Sequence, residues 1–108
     1  MNKQSRRYLA FRLASDVGPP REMLFGEIEN SLRRLFGEYG VLEASLRLIA
    51  YDAEKMIGIV RCSHPSVERL RAAVALTTRI GEHRAVLFIL RSAGTIASLK
   101  RAFSLSLA

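Results

Sequence analysis

The chain has 108 residues, 49% of them apolar, with 17 basic against 10 acidic side chains and a net charge of +7. That length suits one domain, expected to span 1–108 with an ordered core over about 6–103, and no apolar run approaches the roughly 20 residues of a membrane span. The single cysteine, Cys62, excludes an intramolecular disulfide, and Met1 to Arg7 lacks the apolar stretch of a secretory leader, so a soluble, cytoplasmic protein is expected.

Fourteen of the 17 basic residues are arginine, and only Lys3, Lys55 and Lys100 are lysine. A guanidinium is planar, weakly hydrated and pre-organised for paired hydrogen bonds to phosphate. Net charge and arginine bias together point to a nucleic-acid partner.

Arg7 to Ser15 alternates, with Leu9, Phe11 and Leu13 on one face and Tyr8, Ala10, Arg12 and Ala14 on the other, which predicts a first strand. Asp16-Val17-Gly18-Pro19-Pro20 breaks it, and Pro20 is placed to open a helix. From Arg21 to Phe36, Leu24, Ile28, Leu32 and Leu35 recur at helical spacing, with Glu22, Glu27 and Glu29 early and Arg33-Arg34 late. Gly37 reads as the cap that ends this helix.

Val41 to Tyr51 reads as a second strand, with Ala44, Leu46 and Leu48 inward and Arg47, Ile49 and Tyr51 outward. A short turn over Asp52–Lys55 joins it to a third, Lys55 to Cys62, as an antiparallel hairpin. Gly58 inside that strand marks a bulge or a close approach, and Ile59 and Arg61 face away from Val60 and Cys62. Pro65 opens a second helix, capped by Ser63 or His64 and ended at Ile80-Gly81, with Val67, Leu70, Ala73, Val74 and Thr77 inward. Arg84 to Leu90 forms a fourth strand; Ser92 to Thr95 then turns into a third helix carrying Ile96, Leu99 and Phe103, and Ser104 to Ala108 read as frayed.

The order β-α-β-β-α-β-α predicts an α+β, ferredoxin-like or RRM-like two-layer sandwich with a four-stranded antiparallel sheet, strands one and three central. Base stacking on the sheet is not expected, because strand three offers Ile59 and Arg61 where such domains place aromatic rings. The outward face carries Tyr8, Arg12, Arg47, Ile49, Tyr51, Ile59 and Arg61. It suits RNA-backbone contact through Arg12, Arg47 and Arg61 and a protein partner through Tyr8, Ile49, Tyr51 and Ile59. Packing of its aliphatic members beneath the last helix fits the pattern equally well.

The Ser92–Thr95 turn, with Gly94, Thr95, Arg91, Lys100 and Arg101 about it, reads either as a phosphate-binding helix start or as an ordinary glycine turn with Thr95 as N-cap. Arg6 and Arg7 form a basic arm before the first strand. Arg33, Arg34, Arg69, Arg71 and Arg79 are expected on solvated faces beside glutamates.

Enzymatic readings find little support. Cys62 falls on the buried face of a strand, His64 and His83 lack ligands at zinc spacing, and no nucleophile elbow or phosphate-cradling glycine loop is present. An acylphosphatase-like site lacks its arginine loop and asparagine.

In order along the chain, Arg7-Tyr8-Leu9-Ala10-Phe11, Leu35-Phe36-Gly37-Glu38-Tyr39-Gly40, Gly58-Ile59-Val60-Arg61-Cys62, Arg71-Ala72-Ala73 and Gly94-Thr95-Ile96 resemble the RRM-like protein subunit of archaeal and eukaryotic ribonuclease P, also called protein component 2 or Pop-five-like. The resemblance runs from Arg6 to Phe103. Ala93-Gly94-Thr95 departs from the family's Ser-Gly-Thr, leaving Ser92 or Thr95 to supply any hydroxyl needed there.

The resemblance implies a non-catalytic, RNA-binding subunit that supports a magnesium-dependent catalytic RNA in removing the 5′ leader of precursor tRNA. It also implies a TIM-barrel-like partner subunit, a possible dimer of heterodimers, and no metal held by this chain. A stand-alone ferredoxin-like protein-interaction or ligand-regulatory domain is the alternative.

Overall fold

The computed structural model describes residues 5–103 of the chain. Ser104 to Ala108, expected to be frayed, lie outside the described residues, as does the side chain of Phe103. The order is β1 (Arg6–Ser15), α1 (Arg21–Ala44), β2 (Arg47–Asp52), β3 (Ile57–Ser63), a 3-10 turn (His64–Ser66), α2 (Val67–Leu76), β4 (Arg79–Ile80), β5 (His83–Ala93) and α3 (Ile96–Phe103). Five strands form one antiparallel sheet in the order β2-β3-β1-β5-β4, rather than the four expected, with β1 at its centre and β3 beside it. The additional strand is a two-residue stub paired to the start of β5 across Gly81, whose φ of 63° suits glycine.

The alternation in β1 holds: Leu9, Phe11 and Leu13 enter a core with Leu24 and Ile28 of α1, Val60 and Cys62 of β3, and Leu70 and Val74 of α2. Gly58 is required by a close approach, because a Cβ there would lie 2.6 Å from Cζ of Phe11 and 2.9 Å from the carbonyl oxygen of Ala50.

Several boundaries differ from expectation, the third strand starting at Ile57 rather than Lys55 and the second helix at Val67 after the 3-10 turn that holds Pro65. Gly37 (φ 73°, ψ −176°) interrupts α1, but the chain re-enters the helix and continues to Ala44, so the segment from Val41 is helical where a strand was expected. Packing against α2 decides this: Val41 lies on Leu32, Ala44 and Ala73, and Glu43 pairs with Arg69 at 2.6 Å. The second helix stops at Leu76 rather than Ile80, where the buried Thr77 hydroxyl bonds the Ala73 carbonyl and Ser31 instead of continuing the helix. The last long strand is wider than Arg84 to Leu90 and absorbs Ser92 and Ala93.

A register shift between Leu48 and Ala50 reverses the alternation of β2. Ala50 therefore lies on the α3 side, while Tyr51, expected outward, packs on the main core. Its hydroxyl donates to the Pro19 carbonyl at 2.8 Å, and burial, with Asp52 adding to it, raises its pKa above the usual phenol value.

Candidate nucleic-acid interface

The sheet has a second face, and α3 lies across part of it. Leu99 is fully buried against Ala10, Ala50 and Ile59, with Tyr8, Ile49, Ile57, Ala93 and Ile96 around this cluster. The sheet presents alanine at Ala10 and Ala50, where a helix can come close to the backbone. Ile59, expected as a partner contact on an exposed surface, is instead wholly covered, and Tyr8 and Ile49 are half-covered. Burial beneath the final helix is thus the reading that describes the aliphatic members.

The arginines on this face are not covered in the same way. Strand register puts Arg12, Arg47, Arg61 and Arg91 on the α3 side of the sheet. Arg47 and Arg61 stand directly opposite one another across β2 and β3. Like charges so paired are destabilising, and among the described residues the Nε of Arg61 is buried without a hydrogen-bond partner. Arg12 lies over the Phe88 ring, 5.7 Å from its centroid, in cation–π geometry.

Charge is segregated between elements. β1, β3, β5 and α3 together carry eight basic residues and no acidic one. The carboxylates lie on α1, α2, the turns and the end of β2, where Glu29 and Glu38 pair with Arg33 at 3.7 and 2.6 Å, Glu43 with Arg69, and Glu68 with Arg71 at 3.6 Å.

The turn before α3 gathers a further set. Arg7, one strand position from the outer face, brings its Nη1 to 3.7 Å from where a Gly94 Cβ would sit. From α2, Nη2 of Arg71 donates to the Ser92 hydroxyl at 3.5 Å. Helical spacing predicts a solvated Arg71, and nothing in that pattern signals that it reaches β5. Ser92 is thus the hydroxyl beside Gly94 that meets a guanidinium, while Thr95 is exposed at the position before the first residue of α3. Arg6 is exposed at the start of β1, Arg101 is exposed on α3 and Lys100 is half-buried there.

Cys62 is buried, and that burial pushes its thiol up to about 11 although the nearby Arg7 acts in the opposite sense. A thiol so held stays protonated and unreactive at neutral pH.

The geometry therefore defines an α+β sandwich with one arginine-rich face, on which strand register places a single strand carboxylate, Asp52 opposite Ile57. The model of the Rpp14/Pop5 family matches residues 7–104, and the chain belongs to that family. A protein of Methanosarcina acetivorans named ribonuclease P protein component 2 is 35% identical over 94 residues, 87% of this chain and 70% of its own length. Proteins of the same name from Pyrococcus abyssi and Archaeoglobus fulgidus are 35% and 32% identical over 101 residues, covering 94% of this chain and 86% and 90% of theirs. Among solved structures, a chain in the cryo-EM structure of yeast ribonuclease MRP superposes with a TM-score of 0.70 over 96% of this chain and 92% of that one. At 14% identity that likeness concerns the fold. Among the described residues, no helix is long and apolar enough to cross a membrane.

Proposed function

We propose that this protein is a non-catalytic, RNA-binding subunit of ribonuclease P, assisting a catalytic RNA in removing the 5′ leader of precursor tRNA. The observation that carries the reading is the arginine-rich face, where Arg12, Arg47, Arg61 and Arg91 meet one strand carboxylate, Asp52, and above all the opposed Arg47 and Arg61, with an Arg61 Nε unpartnered among the described residues. Family membership and relatives named as ribonuclease P components support it.

The protein's task in this reading is electrostatic. Arg12, Arg47, Arg61 and Arg91, with Arg6, Arg7, Gly94, Thr95, Lys100 and Arg101 at one end, neutralise RNA phosphates and so favour the compact form of the RNA. Each phosphate contact releases counterions, so binding weakens steeply with salt. Magnesium serves the RNA rather than this chain.

A protein partner, which the resemblance makes TIM-barrel-like, needs apolar surface other than Ile59. Val86, Phe88 and Leu90 are 52%, 44% and 42% exposed on β5. Tyr39 and Leu42, beyond the break in α1, are 71% and 75% exposed. Large apolar groups left in water at this level are suited to an interface.

Reconstitution tests the proposal. The catalytic RNA and the partner subunit from the same organism are assayed for precursor-tRNA cleavage against magnesium, with and without this protein. A lower magnesium requirement and a faster rate are expected on addition. Cleavage indifferent to the protein would leave the ferredoxin-like regulatory domain as the surviving reading.

A further inference from the structure

A second cationic site lies on the helical side of the sheet, where α1 meets the segment leading into β4. A cavity of about 210 Å³ opens there, lined by Glu27, Ser31 and Arg34 of α1 and by Thr77, Thr78 and Arg79. Its floor is a directed hydrogen-bond chain. The Thr77 hydroxyl donates to the Ala73 carbonyl at 2.9 Å, leaving its oxygen to accept from the Ser31 hydroxyl at 2.8 Å. The Ser31 oxygen in turn accepts from Nη2 of Arg34 at 3.4 Å. Ser31 and Thr77 are 1% and 3% exposed, so two hydroxyls occupy a helix interface where apolar side chains would pack as well. The chain ends on the guanidinium of Arg34 and holds it at the cavity.

Arg79 enters from the other wall. Its Nη2 reaches only the Glu82 carbonyl, at 3.5 Å, and it stands opposite Arg84 across the β4–β5 hairpin, a second like-charge pair. Among the described residues, neither Arg34 nor Arg79 is within ion-pair distance of a carboxylate, and Glu27 in the same cavity is without a cationic partner. Hydrogen bonds of 3.4–3.5 Å are long, so most donor capacity of both guanidiniums is unspent. One small polar cavity thus presents two unneutralised guanidiniums, a free hydroxyl at Thr78 and a carboxylate acceptor.

We propose that this cavity takes one ribose-phosphate unit of an RNA strand, with Arg34 and Arg79 donating to the phosphate and Glu27 accepting from the 2′-hydroxyl. Phosphate alone would be better served without Glu27, whose charge repels it. A neighbouring hydroxyl donor gives that carboxylate a use, and the 2′-hydroxyl is the donor that RNA has and DNA lacks. The inference rests on the RNA-binding reading above and adds a contact on the side of the sheet away from α3, so that one RNA would have to wrap the molecule or two segments would have to meet it.

The test uses the full chain, a single-stranded RNA oligonucleotide and its 2′-deoxy counterpart, followed by fluorescence anisotropy. Arg34→Ala with Arg79→Ala is expected to weaken RNA binding about tenfold and to lower the salt slope by about 1.4, as the removal of two phosphate-neutralising cations from a single-strand site requires. Glu27→Gln is expected to leave DNA binding equal or tighter while cutting the preference for RNA over DNA several-fold. Unchanged binding in the double variant, with binding still abolished in Arg47→Ala with Arg61→Ala, overturns the cavity and leaves the α3-side reading standing. Wild-type protein that binds neither oligonucleotide overturns both. Inorganic phosphate that competes fully at millimolar concentration, with no dependence on Glu27, reduces the cavity to a general anion site and also overturns the proposal.

Discussion

The two faces of the sheet solve different problems. Towards α1 and α2 the strands present large side chains, Leu9, Phe11, Leu13 and Val60, and the helices covering them settle most of their own charge through Arg33, Arg69 and Arg71. Towards α3 the strands present alanines beneath Leu99 and arginines beside it, with Asp52 at the end of β2 as the one strand carboxylate on that side. One face settles most of its charge within the chain, the Arg34–Arg79 cavity being the exception. The other carries an excess of cationic charge, which the proposed function assigns to an RNA.

The comparison is broken hardest at the ring of Phe11. Phe11→Ala is expected to cost about 4 kcal/mol by chemical denaturation, because a large side chain leaves a fully packed site. Gly58→Ala drives a methyl into the same ring and is expected to cost about 2 kcal/mol. Phe11→Leu in that background should recover part of it, since touching residues do not add independently. On the other face, Leu99→Ala is expected to cost about 2–3 kcal/mol and to raise amide exchange across α3.

The smallest stability effects belong to the arginines. Arg47→Ala should leave stability within about 0.5 kcal/mol of wild type, or raise it, by relieving the repulsion with Arg61. Glu29→Gln should cost no more than about 0.5 kcal/mol, as expected of a half-exposed helical pair. Those near-neutral changes sharpen the contrast, because only Arg47→Ala is expected to weaken RNA binding.

Cys62 supplies a pH signature of the packed face. Its folded pKa of about 11 lies above the ordinary thiol value of 9.0, so the folded state holds its proton longer than the unfolded chain. Its contribution is therefore fully present below pH 9.0 and falls between pH 9.0 and about 11. Denaturation midpoints of wild type and Cys62→Ala should converge over that interval.

Much of the packed face is legible in the amino-acid pattern, because period-two alternation in Arg7–Ser15 and helical spacing in Arg21–Phe36 are direct consequences of burial on one side. Boundaries set by tertiary packing are not. Val41 to Ala44 has apolar residues that suit either state, and packing on α2 makes them helical. The bulge at Ile49 moves Tyr51 to the core, and no turn residue announces it. The basic character of the outer face is legible from Arg12, Arg47 and Arg61, while its cover by the last helix is legible only as one of two equal readings. Whether α3 lies on the sheet depends on Leu99 meeting three residues from three different strands. Arg71 reaching Ser92, and Ser31 reaching Thr77, likewise join elements that local spacing does not connect.

The most direct measurement is the salt dependence of RNA binding for three proteins: wild type, an Arg12, Arg47, Arg61 and Arg91 to alanine variant, and an Arg33 and Arg69 to alanine control. The account predicts a steep slope in the wild type and the control. In the outer-face variant it predicts a slope lower by about 0.7 for each arginine that had neutralised a phosphate. A flat wild-type slope, or equal weakening on removal of the ion-paired helical arginines, would contradict the proposed division between ion-paired helical arginines and RNA-binding arginines of the outer face.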